Sequence, residues 1–258
     1  MISPQANVSP LAQLGEGVEV ASFSTIYEDV TIGKRTKIHP NVTIYPGTKI
    51  GEDCEIFPGA VIGVIPQDLK FEGEATTVEI GDRTVIRECV TIHRATKDRW
   101  KTLIGNDCLL MTYVHIAHDC HIGNNVILAS YVGLSGHVTI NDHAILEGMV
   151  AAQQFVTVGA HAFVGGASLI RKNIPPFIKC AREPLTFAGV NSIGLRRRGF
   201  TDEQVREIED IYRMLYVQNN NMTKGIEQVR ESMPNSPLQE QIINFIESSD
   251  KGVIKGMI

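Results

Sequence analysis

The chain has 258 residues, 43% of them hydrophobic, and a formal net charge of −5. That balance argues against nucleic acid as a partner, since a polyphosphate needs a basic surface. No apolar run approaches the roughly 20 residues that cross a bilayer, and the amino terminus lacks the basic stretch and apolar core of a signal peptide, so a cytoplasmic protein without a transmembrane segment is expected.

From the amino terminus an aliphatic residue recurs every sixth position: Ile2, Val8, Leu14, Val20, Ile26, Ile32, and so on to Val158, Val164 and Ile170. Of the 29 slots in this register, 25 hold Ile, Leu or Val, the exceptions being Asp68, Glu74, Asp98 and Ala152. A period of six matches neither the 3.6 of a helix nor the 2 of a strand, so it marks a stacked repeat. A small or acidic residue often follows the aliphatic, as in Ile32-Gly33 and Ile80-Gly81, and Val, Thr, Cys or Ala often sits two positions before it. The pattern resembles the hexapeptide repeat. That resemblance implies a mainly β protein, a triangular parallel β-helix in which three units make one coil of 18 residues. About ten coils are expected. Its left hand, an exception to the usual crossover rule, is likewise taken from the resemblance. Glycines are expected at the corners, where they supply unusual backbone angles.

Residues 66–77 and 94–103 break the pattern, and the register resumes after each. They read as loops projecting from the prism, and loops on a rigid scaffold commonly carry function. The prism is expected to span residues 1–176. After Pro175-Pro176, residues 177–190 read as a connecting segment. A small helical domain then completes 177–258. Thr201 and Gln204 fit a capping box, followed by Val205, Ile208, Ile211, Tyr212 and Leu215 at helical spacing. A second helix is expected near 223–232, and a third from Ser236-Pro237 to about Ser248, with serine as N-cap and proline in the first turn.

Cys54, Cys89, Cys108, Cys120 and Cys180 are odd in number and several fall on repeat positions. They read as reduced thiols packed as small hydrophobes, and none has the doubled spacing of a zinc knuckle. Basic residues gather beyond the prism, as Arg171-Lys172, Lys179 with Arg182, and Arg196-Arg197-Arg198, which favours an anionic partner.

The densest polar string is His115-Ile116-Ala117-His118-Asp119-Cys120-His121, followed by Ser135-Gly136-His137. Residues 18 apart stack, so His118, Gly136 and Gln154 form one column and Asp119, His137 and Phe155 the next. His118 lies two residues past an inward position and can occupy an outer face. Three readings stay open on spacing alone. His118 can be a general base, since imidazole titrates near working pH, with a carboxylate such as Asp119 holding its tautomer and Gly136 offering a backbone N–H to an oxyanion. The histidines can bind a metal, as in carbonic anhydrases built on this kind of prism. They can also be surface residues without chemistry.

Longer strings narrow the choice. Ile65-Pro66-Gln67-Asp68-Leu69-Lys70-Phe71-Glu72-Gly73-Glu74, Glu88-Cys89-Val90-Thr91-Ile92-His93-Arg94, His115 to Cys120, Gly136-His137-Val138, Gln154-Phe155 and Gly194-Leu195-Arg196-Arg197-Arg198-Gly199-Phe200 occur in this order. Together they resemble the UDP-N-acetylglucosamine acyltransferase family of lipid A biosynthesis over essentially the whole chain. The resemblance implies transfer of a 3-hydroxyacyl group from acyl carrier protein to the glucosamine 3-hydroxyl of UDP-N-acetylglucosamine, without a cofactor or metal. It also implies a homotrimer with its sites between subunits. It makes His118 the base, Asp119 its orienting carboxylate and Gly136 the oxyanion donor. Asp68 and Lys70 would hold the sugar nucleotide. His115, His137 and Gln154 would surround sugar and diphosphate, with His93 lining the cleft and Asn191, Arg197 and Arg198 at the nucleotide end. Direct attack leaves no role for an acyl-enzyme on Cys120, which sits in a packing slot.

Two positions bear on the donor. Gln153 stands where familiar members carry histidine, and an amide cannot change charge near neutral pH. Gly166 matches the place that sets acyl length, and glycine leaves room for a long chain. Two enzyme alternatives remain, an N-acyltransferase acting on a 3-amino analogue and a metal-dependent carbonic anhydrase. A non-catalytic prism would not need Gln67-Asp68-Leu69-Lys70 or the His118-Asp119 pair.

Overall fold

A computed structural model describes residues 1–219 and 221–256. Most strands from Asn7–Val8 to Leu169–Ile170 are two residues long and pair in parallel with the equivalent strand of the next coil. With two later strands they build three sheets of nine, eight and ten strands. The first contains His115–Ile116, the second His121–Ile122 and the third Ile127–Leu128. The usual step is 18 residues, as in Asn7 opposite Thr25. Across the insertions Ile62 pairs with Ile92 and Ile92 with Ile116, steps of 30 and 24, so each insertion adds a multiple of six and the aliphatic stack continues unbroken.

The six-residue slots form the core. Ile44, Ile56, Ile62, Ile86, Ile92, Leu110, Ile116, Leu128 and Leu134 are fully buried. The residues two positions before them, such as Val42, Cys54, Val90, Val126 and Val132, fill the same interior. One aliphatic per short face, each stacked on the next coil, gives a continuous apolar column that no single coil could bury alone.

Glycine takes the expected corner role at Gly17, Gly47 and Gly59, with φ of 75°, 79° and 77°, but not at most corners. Left-handed corner positions are held mainly by other residues, among them Phe23, Asp29, Arg35, Tyr113, Asp119, Tyr131, His137 and Phe155, with φ between 54° and 68°. That conformation costs an L-residue about 1–2 kcal/mol. The coil-to-coil hydrogen bonds on both sides hold it. None of these residues is β-branched, the class for which the strain is greatest. The glycines that follow the aliphatic instead allow close stacking. A Cβ on Gly33 would lie 2.5 Å from the carbonyl carbon of Gly51, and one on Gly105 2.5 Å from the carbonyl oxygen of Gly123.

The excursions run between Val61–Val64 and Thr77–Ile80, and between Thr91–His93 and Lys101–Ile104. Residues 177–190 are not a bare connection. Ile178–Ala181 adds a parallel strand to the third sheet beside Phe163–Val164, and Thr186–Val190 folds back antiparallel on it. The six-residue pattern stops before this point, so periodicity could not reveal them.

Helix α1 spans Ser192–Arg197, α2 Asp202–Arg213, α3 Met222–Ser232 and α4 Pro237–Glu247. Thr201 and Gln204 form both bonds of the capping box, and Ser236 accepts from the Gln239 N–H at 3.0 Å with Pro237 in the first turn. After α2 the chain widens into a π-helical turn, Met214–Gln218, that buries Leu215. The Tyr212 hydroxyl donates to the Pro176 carbonyl at 2.6 Å, and Val253 pairs with Asn173, tying the helices to the last coil.

Candidate active site

The turn between His115–Ile116 and His121–Ile122 places His118 and Asp119 at the corner joining the first and second sheets. Gly136-His137 and Gln154-Phe155 occupy that corner on the next two coils. The His137 N–H donates to the His118 carbonyl at 3.0 Å and the Phe155 N–H to the Gly136 carbonyl at 3.3 Å. His118 is on the corner, not a flat outer face, and it is buried, because the two excursions cover this corner.

His118 Nδ1 lies 2.8 Å from Asp119 Oδ2. An ionised carboxylate only accepts, so Nδ1 carries the hydrogen and the neutral ring has its lone pair on Nε2. Nε2 faces Asp68 Oδ2 at 4.0 Å, too far for a direct bond. Asp119 is wholly buried. Burial pushes its pKa up, but hydrogen bonds from the His118 ring, from the Thr96 hydroxyl and N–H, and from the Arg99 N–H together outweigh that and hold it below the usual value.

Gly136 is required by the ring of His118. A Cβ there would stand 2.5 Å from Cε1 and 2.6 Å from Nε2. Among the described residues the Gly136 N–H donates no hydrogen bond, as is also true of the matching corner position His118.

His137 stacks on Phe155 with centroids 4.5 Å apart and meets His118 edge-on at 5.2 Å. Its Nδ1 is 3.1 Å from Asp98 Oδ2 without hydrogen-bond alignment. Burial lowers its pKa more than the neighbouring carboxylates raise it. His93 and His115 pack edge to face at 4.9 Å. Burial and the nearby histidines bring His93 to about 4, while His115 bonds Thr91 through Nδ1 at 2.7 Å. Lys70 is exposed beside Asp68, whose Oδ1 accepts from the Lys70 N–H at 2.9 Å.

His118, Asp119 and His137 bring donor atoms within 4.8 Å of one another, a grouping that could hold a metal ion. The Asp119 oxygens are already engaged, Oδ2 by both His118 and Thr96 and Oδ1 by Arg99. A cation would have to displace these donors, so the set fits proton transfer better than metal ligation. Burial pushes the Cys120 thiol up to about 12, and its Sγ meets the Ser135 carbonyl at 3.2 Å. Such a thiol is no nucleophile at neutral pH.

Other expected site residues lie elsewhere. Asn191, Arg197 and Arg198 sit by the corner joining the second and third sheets, where the Asn191 amide donates to the His161 carbonyl at 3.0 Å. Arg197 is exposed, and Arg198 buries an Nη1 with no partner among the described residues. Gly166 is on the third corner, between Phe163–Val164 and Leu169–Ile170, and its N–H meets Glu147 at 3.1 Å. Corners of one chain are separated by a face of six residues, or about 20 Å. Gln153 is exposed on the strand side of Gln154, close to the His118 corner.

Sequence reasoning missed Thr96, Asp98, Arg99 and Thr102, which surround Asp119 and His137. Thr96, Asp98 and Arg99 lie in the second excursion, where no repeat arithmetic assigns a neighbour. The only signal was that the excursion interrupts the chain within 25 residues of His118.

Comparison with known proteins bears on the whole chain. A family profile described as Udp N-acetylglucosamine O-acyltransferase, Domain 2, matches residues 173–254, and the bacterial transferase hexapeptide profile matches 11–46, 29–63 and 101–136. A Sulfurihydrogenibium sp. protein named acyl-(acyl-carrier-protein)–UDP-N-acetylglucosamine O-acyltransferase is 56% identical over 253 residues, 98% of this chain and 93% of its own. One of the same name from Chlorobaculum tepidum is 56% identical over 92% of this chain and 90% of its own. The crystal structure of a UDP-N-acetylglucosamine acyltransferase from Bacteroides fragilis superposes with a TM-score of 0.97 at 45% identity, covering 99% of this chain and all of that one. The hexapeptide match and this neighbour fit a left-handed parallel β-helix with a small carboxy-terminal helical region. Likeness of this extent, over prism and helices alike, establishes that the chain belongs to the UDP-N-acetylglucosamine O-acyltransferase family.

Proposed function

We propose that the protein transfers a (3R)-3-hydroxyacyl group from acyl carrier protein to the glucosamine 3-hydroxyl of UDP-N-acetylglucosamine, the first step of lipid A biosynthesis. One observation carries the mechanism: the buried His118–Asp119 bond of 2.8 Å, with the unencumbered Gly136 against the ring. A hydroxyl oxygen can sit within hydrogen-bond reach of both His118 Nε2 and Asp68 Oδ2 across their 4.0 Å gap. Nε2 takes its proton as the oxygen attacks the thioester carbonyl. The carbonyl oxygen becomes an oxyanion, which the Gly136 N–H receives. Collapse expels the carrier thiolate, and the imidazolium returns the proton to sulfur. The products are the O-acyl sugar nucleotide and free carrier thiol. Asp119 holds the ring and stabilises the imidazolium without taking the proton, and no cofactor or metal enters the balance.

The residues expected to hold the sugar nucleotide lie on two corners of one prism, about 20 Å apart. A homotrimer resolves this: one subunit brings His118, Asp119 and Asp68, and a neighbour brings Asn191, Arg197 and Arg198. The half-buried Arg198 guanidinium, lacking a partner among the described residues, suits a diphosphate. Mixing His118→Ala with Arg198→Ala subunits is expected to recover activity in about a quarter of sites, because random assembly pairs the two intact corners that often. Activity no higher than that of either parent would place each site within one subunit.

Arg171, Lys172, Lys179 and Arg182 are all exposed near the prism's end and suit an acidic carrier protein. All five cysteines are free and four are buried, consistent with a reducing cytoplasm. No helix among the described residues is long and apolar enough to cross a membrane.

The test is acyl transfer to UDP-N-acetylglucosamine from a series of 3-hydroxyacyl carrier proteins, with product linkage probed by mild base. A base-labile product supports O-acylation, whereas transfer only to the 3-amino analogue would replace the acceptor. Gly166 is exposed and carries no side chain, and a Cβ there would already stand 3.2 Å from the Gly148 carbonyl oxygen, so long donors are expected to win with glycine in place. Gly166→Met should shift preference toward shorter chains, and an unchanged preference would remove Gly166 from the acyl pocket.

A further inference from the structure

Asp53, Asp107 and Asp119 all take the left-handed corner conformation, but their surroundings differ. Asp53 and Asp107 pair with surface arginines and keep 41% and 38% of their side chains exposed. Asp119 is wholly buried, because the excursion after Thr91–His93 folds back across its corner. The Thr96 N–H reaches both carboxylate oxygens at 3.2 and 3.1 Å, the Thr96 hydroxyl donates to Oδ2 at 2.7 Å, and the Arg99 N–H donates to Oδ1 at 3.1 Å. The Arg99 guanidinium also holds the Asp119 carbonyl at 3.0 Å. The Asp119 N–H donates to the Thr102 hydroxyl at 2.9 Å. Backbone and side chain of Asp119 are thus gripped from one segment.

We propose that Thr96 is a positioning residue for acyl transfer: through its hydroxyl and N–H it locks the Asp119 carboxylate in the one orientation that fixes the His118 tautomer. The inference rests on His118 being the base. Oδ2 accepts from both the Thr96 hydroxyl and His118 Nδ1. Without the hydroxyl, Oδ2 loses its shortest donor and keeps the ring at 2.8 Å and the longer Thr96 N–H contact at 3.1 Å. The carboxylate can then turn about its Cβ–Cγ bond, and the ring can follow. A ring no longer held by Nδ1–H spends time with the hydrogen on Nε2, where it cannot accept a proton from the sugar. Thr96 touches no substrate in this arrangement and acts entirely through Asp119.

The test compares the full-length wild type with Thr96→Val, which keeps volume and backbone N–H, and Thr96→Ser, which restores the hydroxyl. With both substrates saturating, Thr96→Val is expected to lower kcat by about tenfold or more, as for loss of a hydrogen bond to a charged group, with each KM within about twofold. Thr96→Ser should recover most of kcat. Nitrogen-15 histidine spectra of the free proteins, with His118→Ala assigning the signal, should show His118 fixed as the Nδ1–H tautomer in wild type and mixed in Thr96→Val. A Thr96→Val enzyme with wild-type kcat overturns the proposal even if His118 proves essential. If the wild type transfers nothing, the functional reading falls by itself, and an unchanged His118 tautomer in Thr96→Val then overturns the positioning role.

Discussion

His118→Ala is expected to lower acyl-transfer turnover by about 10²–10⁴-fold, the range of a lost general base, with near-normal thermal unfolding. The fold should survive because the change lies on a corner and leaves the aliphatic column intact. Asp119 also keeps its bonds to Thr96 and Arg99 after the ring is gone. The neighbouring histidines cannot substitute. His115 is engaged through Thr91, and burial is the largest cause that lowers the pKa of His93, a cause the loss of His118 leaves in place. His137 lies beside Asp98, with the Phe155 ring stacked on its face. Among the described residues, only His118 combines one nitrogen bonded to a buried carboxylate with another facing Asp68. Steady-state kinetics paired with a melting curve provide the check, and near-full turnover in the variant would remove the base role from His118.

Gly136→Ala should be almost as damaging, for a different reason. The three atoms nearest to an added methyl all belong to the His118 ring, so the ring moves and the coil does not. Displacement of a catalytic group by about 1 Å can cost on the order of 100-fold in rate. The stability penalty should stay near the 1–3 kcal/mol typical of overpacking, here as a rough upper range. The alanine retains its backbone N–H, so a loss of kcat reports ring displacement and not loss of the oxyanion donor. Measuring kcat, each KM and the unfolding midpoint separates these effects. An alanine variant with full kcat would show that the ring tolerates another position.

The two variants probe different levels of the structure. The spacing of Ile116, Leu134 and Ala152 at 18-residue steps already required His118 to face Gly136 and Asp119 to lie beside His137. That is why the core of the site was legible before any coordinates. Asp68 was legible only as part of a longer string. Its place across from His118 Nε2 depends on how the 66–77 excursion folds back. The strands Ile178–Ala181 and Thr186–Val190 escaped notice because the six-residue signal ends before them, and most corner conformations, expected of glycine, fell on other residues. Side-chain composition says little about φ when neighbouring coils impose it from both sides.

The family resemblance implied the pairing of His118 with Asp119, and by itself the sequence determined the prism, its register through both insertions and the capped helices of the tail. Each follows from local periodicity or a local hydrogen bond, and such order is written every few residues. The tertiary structure alone decided that Asp119 is sealed by Thr96 and Arg99, that Gly136 is required by the His118 ring, and that Asn191, Arg197 and Arg198 stand on a different corner from the base. Those relations join residues through excursions and corners that carry no period, so only the folded chain brings them together or sets them apart.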